Sequence, residues 1–473
     1  MHCSLQELQL AISGSQMINA TAVDITDVST DSRKIKPGDL FVALRGEHFD
    51  AHDFLPQIAQ TGAVAVVAQY LPEGFSLPAL LVPDTKQALA DIARYWRQQF
   101  TLPVIGVTGS NGKTTVKEMI AAILAAAFGA EHRLSTAGNL NNEIGVPLTI
   151  LGLTAAHQAA VIEMGMNHPG EIALLASVAL PTVALVNNAQ REHQEFMQTV
   201  QAVAEENGAA LLALPDNGVA VFPADDEYSH VWRSYAQRTG QRKLVSFGLT
   251  PDADVSGHYQ AGVFGSELTI VLSGQALTVN LQAAGQHNVL NALAAAACCS
   301  SIGISHQKII EGLQNFNPVS GRLQRKQAPN GALVIDDTYN ANPDSVRAAI
   351  DVLAQLGRDQ ILVLGDMGEV GDNGPEFHRE IGRYAIERGI TKVLLMGELV
   401  QHTADAYGKN ARYYTDLPSL LAELDTQVHG DTTVLVKGSR FMKMERVVAH
   451  LLSPEQSSGF TNISSQQKTK GTH

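Results

Sequence analysis

A glycine-rich segment between an apolar run and a helical pattern carries the residues best suited to bind phosphate. It reads Thr108-Gly109-Ser110-Asn111-Gly112-Lys113-Thr114-Thr115. Its glycines let backbone N–H groups wrap around an anion, and the N-terminus of the following helix adds partial positive charge. The Lys113 ammonium can reach the outer phosphates of a nucleotide, and the Thr114 hydroxyl can ligate Mg²⁺. The segment therefore predicts an ATP-type phosphate loop.

This segment departs from the strict phosphate-loop pattern, G-x-x-x-x-G-K-[ST], because Val107 stands at the position of the first glycine. The alternative is a glycine turn that contains Lys-Thr by chance. The flanking patterns favour the phosphate loop. Residues 102–107 form an apolar run typical of a strand, and the apolar residues between Val116 and Phe128 recur at helical spacing.

Two further residues with metal-binding side chains follow predicted strands. Glu163 ends a strand over 159–162, and His193 comes shortly after a strand over 183–186. In an open parallel sheet ligands collect at the carboxyl ends of the strands, so Lys113, Glu163 and His193 are expected to converge. Glu163 and His193 together can hold a hard cation beside the phosphates. Taken singly, each is better explained as an exposed loop residue.

Asparagines recur in two other segments. Asn139 and Asn142 belong to a loop without apolar period, where amide side chains can donate or accept hydrogen bonds. Asn288 and Asn291 lie three residues apart at the start of a predicted alanine-rich helix, so they share a face that can contact a base or a ribose. N-terminal capping by Asn288 is the alternative for that residue.

Polar residues near both ends of the chain complete the candidate set. Ser32 and Arg33 lie in a polar loop that can bind a phosphate, although a solvated loop explains them equally well. Arg322 lies in a joint between predicted domains, where it can clamp a phosphate or be an ordinary surface residue. The string Asp336 to Asn340 follows a predicted strand, and Asn342 is expected to cap the helix that begins at Pro343.

The order of the predicted strands and helices that carry these residues indicates an α/β fold of three domains. Residues 1–100 form a small α/β unit. Residues 101–322 form a central ATPase-like unit with a mostly parallel sheet, extended by an antiparallel hairpin over 267–272 and 276–281. Residues 323–452 alternate strands and helices as a Rossmann-like unit does. Residues 453–473 are rich in Ser, Gln, Thr, Lys and Gly and are expected to be a disordered tail.

Composition limits the classes of function and location. The chain has 473 residues and a formal net charge of -14, which argues against a nucleic-acid partner held by phosphate contacts. Its three cysteines show neither a disulfide framework nor metal spacing, and Cys298 and Cys299 are expected to be buried in a helix. We see no signal peptide and no apolar run long enough to span a membrane. We therefore expect a cytoplasmic protein, without a membrane partner and monomeric.

The ordered set of motifs resembles the Mur ligase family, the ATP-dependent enzymes that build the peptidoglycan stem peptide. The matching stretches cover nearly the whole chain: residues 30–33, 108–115, 138–147, 163–171, 285–291, 321–322, 336–345 and 364–371. The stretches 336–345 and 365–369 resemble the member that adds D-alanyl-D-alanine. An Asp-Asn-Pro-Arg motif, expected in the sibling that adds diaminopimelate, does not occur.

This resemblance implies three domains: one that binds uridine diphosphate, a central ATPase domain and a C-terminal Rossmann-like domain. The implied reaction joins UDP-N-acetylmuramoyl-tripeptide to D-alanyl-D-alanine through an acyl phosphate, giving ADP and phosphate. Each candidate takes a role by resemblance. Lys113 contacts the phosphates; Thr114 and Glu163 ligate Mg²⁺; His193 corresponds to the family histidine for a second Mg²⁺; Asn288 and Asn291 lie by the base; Arg322 and Asp337 lie by the phosphates and ribose; Ser32 and Arg33 hold uridine diphosphate; Asn139, Asn142, Asn340 and Asn342 lie toward the substrates.

One departure from the family concerns a second cation. Asn207 stands where the resemblance places a lysine that is carbamylated in some members, and Glu205 or Glu206 can compensate for it. Two other functions stay open at this stage. One is folylpolyglutamate synthase, which shares the central and C-terminal domain architecture, but the hundred or so residues before the phosphate loop argue against this function. A nucleotide-dependent switch predicts nucleotide turnover that needs no amine acceptor.

Overall fold

The structure, a computed structural model, describes residues 1–453 apart from residues 47, 239, 263, 357 and 358. The strands of this part form sheets of two, five, nine and six strands. The first two sheets belong to the N-terminal domain, whose elements in chain order are β1 (Cys3–Ser4), α1 (Leu5–Ala11), β2 (Gln16–Ile18), β3 (Asp24–Ile25), β4 (Asp27–Ser29), β5 (Asp39–Val42), α2 (Leu55–Ile58), β6 (Ala65–Ala68), β7 (Ala79–Leu81) and α3 (Thr85–Arg97).

The five-stranded sheet of this domain has the order β2-β7-β6-β5-β4, and only β2 runs antiparallel to its neighbour. The sequence pattern predicts one helix near residues 53–61, but the structure divides this segment into a 3₁₀ turn, Ala51–Phe54, and the short α2. Pro56 has no N–H group, so it fits only the first turn of an α-helix, and α2 begins at the residue before it.

The central domain is built around the nine-stranded sheet. Its elements are β8 (Val104–Thr108), α4 (Lys113–Phe128), β9 (Arg133–Ser135), α5 (Gly145–Leu151), β10 (Ala159–Glu163), α6 (Glu171–Ala179), β11 (Val183–Val186), α7 (Gln194–Met197), α8 (Val200–Leu212), β12 (Val219–Pro223), α9 (Ser229–Gln237), β13 (Lys243–Gly248), β14 (Val255–Ala261), β15 (Ser266–Leu272), β16 (Gln275–Leu281), α10 (Gln286–Ser301) and α11 (His306–Gln314).

The order of this sheet is β16-β15-β14-β13-β12-β11-β8-β10-β9. Strands β8 to β14 pair in parallel, whereas β14, β15 and β16 pair antiparallel. Strands β8, β10, β11 and β12 are buried along their whole length, as parallel strands covered by helices on both faces must be. Strand β16 alternates buried and exposed residues, so the predicted antiparallel hairpin is confirmed.

The C-terminal domain contains the six-stranded sheet, with the order β17-β18-β22-β19-β20-β21. It is parallel except for β17, which adds an antiparallel edge to a Rossmann-like arrangement. The elements are β17 (Gln324–Gln327), β18 (Leu333–Asp337), α12 (Pro343–Gln355), β19 (Asp359–Gly365), α13 (Gly374–Glu387), β20 (Lys392–Met396), α14 (Val400–Tyr407), β21 (Ala411–Tyr414), α15 (Leu417–Gln427), β22 (Thr432–Lys437) and α16 (Glu445–Leu451).

The N-terminal domain is anchored to the central domain through α3. This helix packs against α5 and α6, and a single hydrophobic core joins the two domains. Arg97, at the end of α3, is buried and donates from Nε to the carbonyl oxygen of Ala179 at 3.1 Å. We propose the domain boundaries at residues 100 and 322, between the groups of strands.

Two further expectations concern single residues and segments. Cys298 and Cys299 are buried in α10, as predicted. The expected disordered tail lies, except for Ser453, outside the described residues. Among the described residues, no helix is both long enough and apolar enough to cross a membrane.

Candidate functional site: a cavity around the phosphate loop

The glycine-rich segment connects β8 to α4 and has the geometry of an anion-binding turn. Gly109 has φ of 132° and Gly112 has φ of 82°, values that favour glycine. Space also excludes a side chain, because a Cβ on Gly112 would lie 2.5 Å from Asn291 Oδ1. Strand, turn and helix therefore follow one another as predicted, with backbone N–H groups at the start of α4.

Lys113, the first residue of α4, folds back over the loop. Its Nζ donates to the carbonyl oxygens of Gly109 at 2.6 Å and Ser110 at 3.1 Å. It also forms an ion pair with Glu192 Oε1 at 2.8 Å. Glu192 is a residue that sequence reasoning missed. The ammonium group is thus held at the mouth of the loop by oxygen atoms, which phosphate oxygens can replace.

Thr114 and Glu163 meet as predicted, and Arg322, at the C-terminal boundary of the central domain, joins them. Glu163 Oε1 accepts hydrogen bonds from the Thr114 hydroxyl at 3.1 Å and from Asn141 Nδ2 at 2.8 Å. Arg322 Nη2 donates to Thr114 Oγ1 at 2.8 Å, and its guanidinium stacks on the Tyr339 ring at 4.1 Å. Asn141 lies between the two asparagines selected from that loop, and nothing in its spacing distinguished it.

His193 lies in a chain of alternating charges that runs from the phosphate loop into the C-terminal domain. Its Nε2 is 3.5 Å from Glu192 Oε1, and its Nδ1 is 2.7 Å from Glu369 Oε2. Burial acts to lower the pKa of His193, but these two carboxylates outweigh it and raise that pKa to about 9. His193 and Glu369 both have positive φ, 49° and 57°, in the left-handed region that non-glycine residues rarely adopt.

Asn288 and Asn291 are buried next to the phosphate loop, at the start of α10. Asn291 Nδ2 donates to Asn288 Oδ1 at 3.2 Å, and Asn291 Oδ1 accepts from Asn187 Nδ2 at 2.8 Å. The alternative that Asn288 caps the helix is wrong. Gly285, with φ of 90°, occupies the cap position, and the Asn288 amide donates instead to the carbonyl oxygen of Ala284.

The C-terminal domain contributes a polar edge that reaches the phosphate loop. Asn342 caps α12 as predicted, and its Nδ2 donates to Asn111 Oδ1 at 3.0 Å. Lys437 is almost fully buried and pairs with Asp337 Oδ2 at 2.7 Å. Its Nζ also donates to the carbonyl oxygen of Asn340 at 2.8 Å. Lys437 ends a strand like the other candidates, but the side chain was not selected from the sequence.

These contacts enclose a cavity of about 910 Å³ between the central and C-terminal domains. The predicted residues that line it are Ser110, Asn111, Gly112, Lys113, Thr115, Asn142, Glu163, His193, Asn288, Asn291, Arg322, Asp337, Asn340 and Asn342. The volume is in the range of small-molecule sites.

Other predicted residues lie outside the lining. Thr108 is buried at the end of β8, Gly109 is within the turn, and Thr114 is covered by its bonds to Glu163 and Arg322. Asn139 is exposed in its loop. Ser32 and Arg33 belong to the N-terminal domain, where Arg33 pairs with Asp31 at 2.8 Å and is 84% exposed.

Family models match three consecutive parts of this chain. They are the Mur ligase family catalytic domain over residues 24–97, the Mur ligase middle domain over 107–299, and the Mur ligase glutamate ligase domain over 321–440. The chain belongs to the Mur ligase family. The three matches follow the three domains of the fold, and the middle one begins at the strand before the phosphate loop.

Relatives of known name match this Mur ligase along almost their full length. The UDP-N-acetylmuramoyl-tripeptide--D-alanyl-D-alanine ligase of Escherichia coli (strain K12) is 40% identical over 91% of this chain and 94% of its own. The enzyme of that name from Haemophilus influenzae is 37% identical, over 94% and 98%.

Solved structures agree with this relationship. A crystal structure of MurF from Acinetobacter baumannii has a TM-score of 0.88 at 33% identity, covering 96% of this chain and 99% of that one. MurF from Thermotoga maritima in complex with ADP has a TM-score of 0.79 at 28% identity, covering 90% and 96%. Folylpolyglutamate synthase from Mycobacterium tuberculosis, at 18% identity and a TM-score of 0.63, covers 77% and 94% and shares the fold.

The residues of this Mur ligase fit a hard cation. Glu163 is 2% exposed, and its Oε2 is buried without a hydrogen-bond partner, while its Oε1 contacts Thr114 and Asn141. A buried carboxylate oxygen without a donor suits Mg²⁺, which prefers oxygen ligands and keeps several from phosphate and water. Among the described residues, no three or more His, Cys, Asp and Glu side chains are grouped to hold a metal alone.

The residues considered for a second cation are placed differently from what the sequence suggested. Asn207 is buried beneath the loop, and its Oδ1 accepts from Gly109 N at 2.8 Å. Glu206 caps α6 through hydrogen bonds from Gly170 N and Ile172 N, and Glu205 bonds to Gln201 on its own helix. None of these three lines the cavity. Compensation by Glu205 or Glu206 therefore has no support in the geometry.

Proposed function

We propose that this chain is the ATP-dependent ligase that adds D-alanyl-D-alanine to UDP-N-acetylmuramoyl-tripeptide. The observation that carries the proposal is the meeting of two domains at one cavity. The central domain brings a phosphate loop with Lys113, and the C-terminal domain brings Asn340 and Asn342 to the same space. Near full-length identity of 40% to a relative of that name supports this substrate pair.

The reaction requires activation, because a carboxylate is a poor electrophile. The tripeptide carboxylate attacks the γ-phosphorus of ATP and forms an acyl phosphate as ADP leaves. The amine of D-alanyl-D-alanine then attacks the acyl carbon, and phosphate leaves with the former carboxylate oxygen. The protein accelerates these steps by positioning the groups and by neutralising charge on the phosphates.

Each side chain at the cavity supplies part of that positioning. Lys113 exchanges the oxygens of Glu192 and the loop for phosphate oxygens, and Arg322 approaches from the C-terminal side next to Thr114. Asn288 and Asn291 contact the base or ribose, while Asp337, paired with Lys437, lies on the ribose side. Bound Mg²⁺ would be held by Thr114 and Glu163, with His193 as a ligand of a second Mg²⁺, and would supply Lewis-acid stabilisation of phosphate charge.

The remaining assignments extend to the substrates and to the state of the protein. Ser32 and Arg33 hold the uridine diphosphate, Asn139 and Asn142 lie toward the tripeptide, and Asn340 and Asn342 lie toward the incoming dipeptide. The enzyme acts on these small molecules as a cytoplasmic monomer, without nucleic-acid or membrane partners.

Phosphate release from ATP tests the function against its alternatives. We expect release only when UDP-N-acetylmuramoyl-tripeptide and D-alanyl-D-alanine are both present, and we would compare tripeptides that end in diaminopimelate and in lysine. A folylpolyglutamate synthase would instead respond to a folate and glutamate. A nucleotide switch would hydrolyse ATP equally with and without the dipeptide, which would overturn the proposal.

A further inference from the structure

Lys117 is a lysine of α4 that the proposed function does not use. The residue is fully buried. Its Nζ donates to the backbone carbonyl oxygen of Thr136 at 2.8 Å and pairs with the carboxylate of Glu118. Lysine is almost never fully buried unless its ammonium group is paired, because removing a charge from water is costly. An apolar side chain would fill the same space without that cost, so the ammonium group indicates a role in holding Thr136.

Thr136 connects Lys117 to Glu163. It directly follows β9 and is buried. Its backbone N–H donates to the carbonyl oxygen of Val161 at 3.1 Å, and its Oγ1 accepts from the backbone N–H of Glu163 at 2.9 Å. Strand β10 ends at Glu163, so the Thr136 hydroxyl fixes the backbone at the residue that carries the carboxylate. A shift of Thr136 would therefore shift Glu163.

Helix α4 holds Glu163 both by its side chain and by its backbone. Thr114 and Lys117 lie three residues apart and share a face of the helix. Thr114 donates to Glu163 Oε1 at 3.1 Å, whereas Lys117 acts on the Glu163 backbone through Thr136. The loop that begins at Thr136 also carries Asn141, whose Nδ2 donates to the same Oε1 at 2.8 Å. These contacts fix the carboxylate while its Oε2 stays available to a cation.

We propose that Lys117 is a positioning residue for the cation that Glu163 holds. Lys117 fixes Thr136, and Thr136 fixes the backbone of Glu163. Lys117 does not itself line the cavity. Mg²⁺ demands a nearly ideal octahedral arrangement of its ligands, so a displaced Glu163 binds it more weakly. The inference rests on the proposed function in one respect, the role of Glu163 as a ligand of the cation that binds with the nucleotide.

Binding of Mn²⁺ to the full chain saturated with a non-hydrolysable ATP analogue, followed by electron paramagnetic resonance, tests this role. Glu163→Gln identifies the ion that Glu163 holds, because that ion should bind more weakly to this variant. In Lys117→Met, which keeps a long side chain without the charge, the same ion should bind about tenfold more weakly. The affinity for the analogue without metal should stay at the wild-type value, because Lys113 and the phosphate loop remain in place. Lys308→Met, at a partly exposed lysine of α11, is the matched control and should change neither affinity.

Two variants of Thr136 test the same connection independently. Thr136→Val keeps the shape but removes the acceptor of the Glu163 N–H, so the ion held by Glu163 should again bind about tenfold more weakly. Thr136→Ser keeps that acceptor and should bind the ion as the wild type does. This pair of variants decides the question if Lys117→Met does not fold, which its unfolding midpoint shows.

The outcomes separate positioning from other roles. A lower unfolding midpoint with unchanged Mn²⁺ affinity in Lys117→Met would show that Lys117 only stabilises the core, and would overturn the inference. An equal loss of affinity for the analogue without metal would assign the effect to the phosphate loop and would also overturn it. A wild type that does not bind the analogue, or unchanged Mn²⁺ affinity in Glu163→Gln, would instead contradict the proposed function itself.

Discussion

Arg191 in the central domain contacts Asp344 in the C-terminal domain through both its guanidinium group and its backbone N–H. Arg191 Nη2 is 2.6 Å from Asp344 Oδ1, and the Arg191 backbone N–H donates to Asp344 Oδ2 at 2.9 Å. Arg191 Nη1 also pairs with Glu380 at 2.6 Å. Burial acts to lower the pKa of Arg191, but these acids outweigh it and raise that pKa. Arg191 lies next in sequence to Glu192 and His193, so the domain junction is physically linked to the phosphate site.

Replacing Arg191 should weaken the contact between the central and C-terminal domains. In Arg191→Ala, Asp344 and Glu380 lose a shared partner, and we expect an interdomain stabilisation of about 1–3 kcal/mol to be lost. Small-angle scattering with bound nucleotide should show a larger radius of gyration, and KM for the peptide substrates should rise. Arg379→Ala, which removes a pair within helix α13, is the control. An unchanged radius of gyration and an unchanged KM would show that the ion pairs of Arg191 do not hold the two domains together.

Lys113 is expected to dominate catalysis. Lys113→Ala removes a preorganised positive charge from the phosphate site, so turnover should fall by more than about a hundredfold. Ligation rates measured by ADP formation test this, with Lys409→Ala, at an exposed residue of the C-terminal domain, as the control. Ligation retained in Lys113→Ala would count against the assignment of the phosphate loop.

Asn207 should stabilise the loop rather than bind a cation. Asn207→Ala leaves the buried N–H of Gly109 without its acceptor, a cost of about 1–3 kcal/mol. We expect a lower unfolding midpoint and weaker ATP binding, measured by thermal unfolding and calorimetry. Glu205→Ala on the same helix should change neither quantity. ATP affinity and stability equal to wild type in Asn207→Ala would contradict this role.

His378 should make the stability of the C-terminal domain depend on pH. It is fully buried, its Nε2 accepts from Met367 N at 3.1 Å, and its Nδ1 bonds to the carbonyl oxygen of Gly374 at 2.7 Å. Burial lowers the pKa of His378, outweighing the bond to Gly374. Because the folded pKa lies below the unfolded one, this stabilisation is complete above the ordinary pKa and is lost as pH falls through the folded value.

Denaturant unfolding at several pH values checks the direction in which stability changes with pH. The free energy of unfolding of the wild type should fall as pH drops below about 6.5, and the fall should be smaller in His378→Gln. His230→Gln, at an exposed histidine of the central domain, is the control and should behave as the wild type does. If the free energy of unfolding falls equally in the wild type and in His378→Gln, His378 is not the source of the pH dependence.

Sequence patterns predicted the parts of the fold that local rules determine. The strand over 183–186, the hairpin of β15 and β16 and the Asn342 cap follow from apolar runs, alternation and capping chemistry. Strands β1 to β4, β9, β12, β13, β14, β17 and β21 were not predicted. Strand β9 has only 3 residues, and β17 reads Gln-Arg-Lys-Gln, so neither carries an apolar pattern.

Residues of the candidate site also fall into two groups, those that local patterns predict and those that depend on contacts between distant parts of the chain. Lys113, Thr114 and Glu163 could be selected because each ends a strand or begins a helix in an open α/β sheet. Glu192, Asn141 and Lys437 could not, since their importance arises from contacts across elements and between domains. Asn207 was identified as unusual by resemblance, but only the fold shows that its amide binds the backbone of the loop.

The most direct test of the central claim follows one oxygen atom. UDP-N-acetylmuramoyl-tripeptide labelled with ¹⁸O in its terminal carboxylate is incubated with the enzyme, ATP, Mg²⁺ and D-alanyl-D-alanine, and the products are analysed by mass spectrometry. We predict one ADP and one new amide per turnover, with one ¹⁸O carried into the released phosphate. Unlabelled phosphate, or ADP formed without a new amide, would contradict ligation through an acyl phosphate at this cavity.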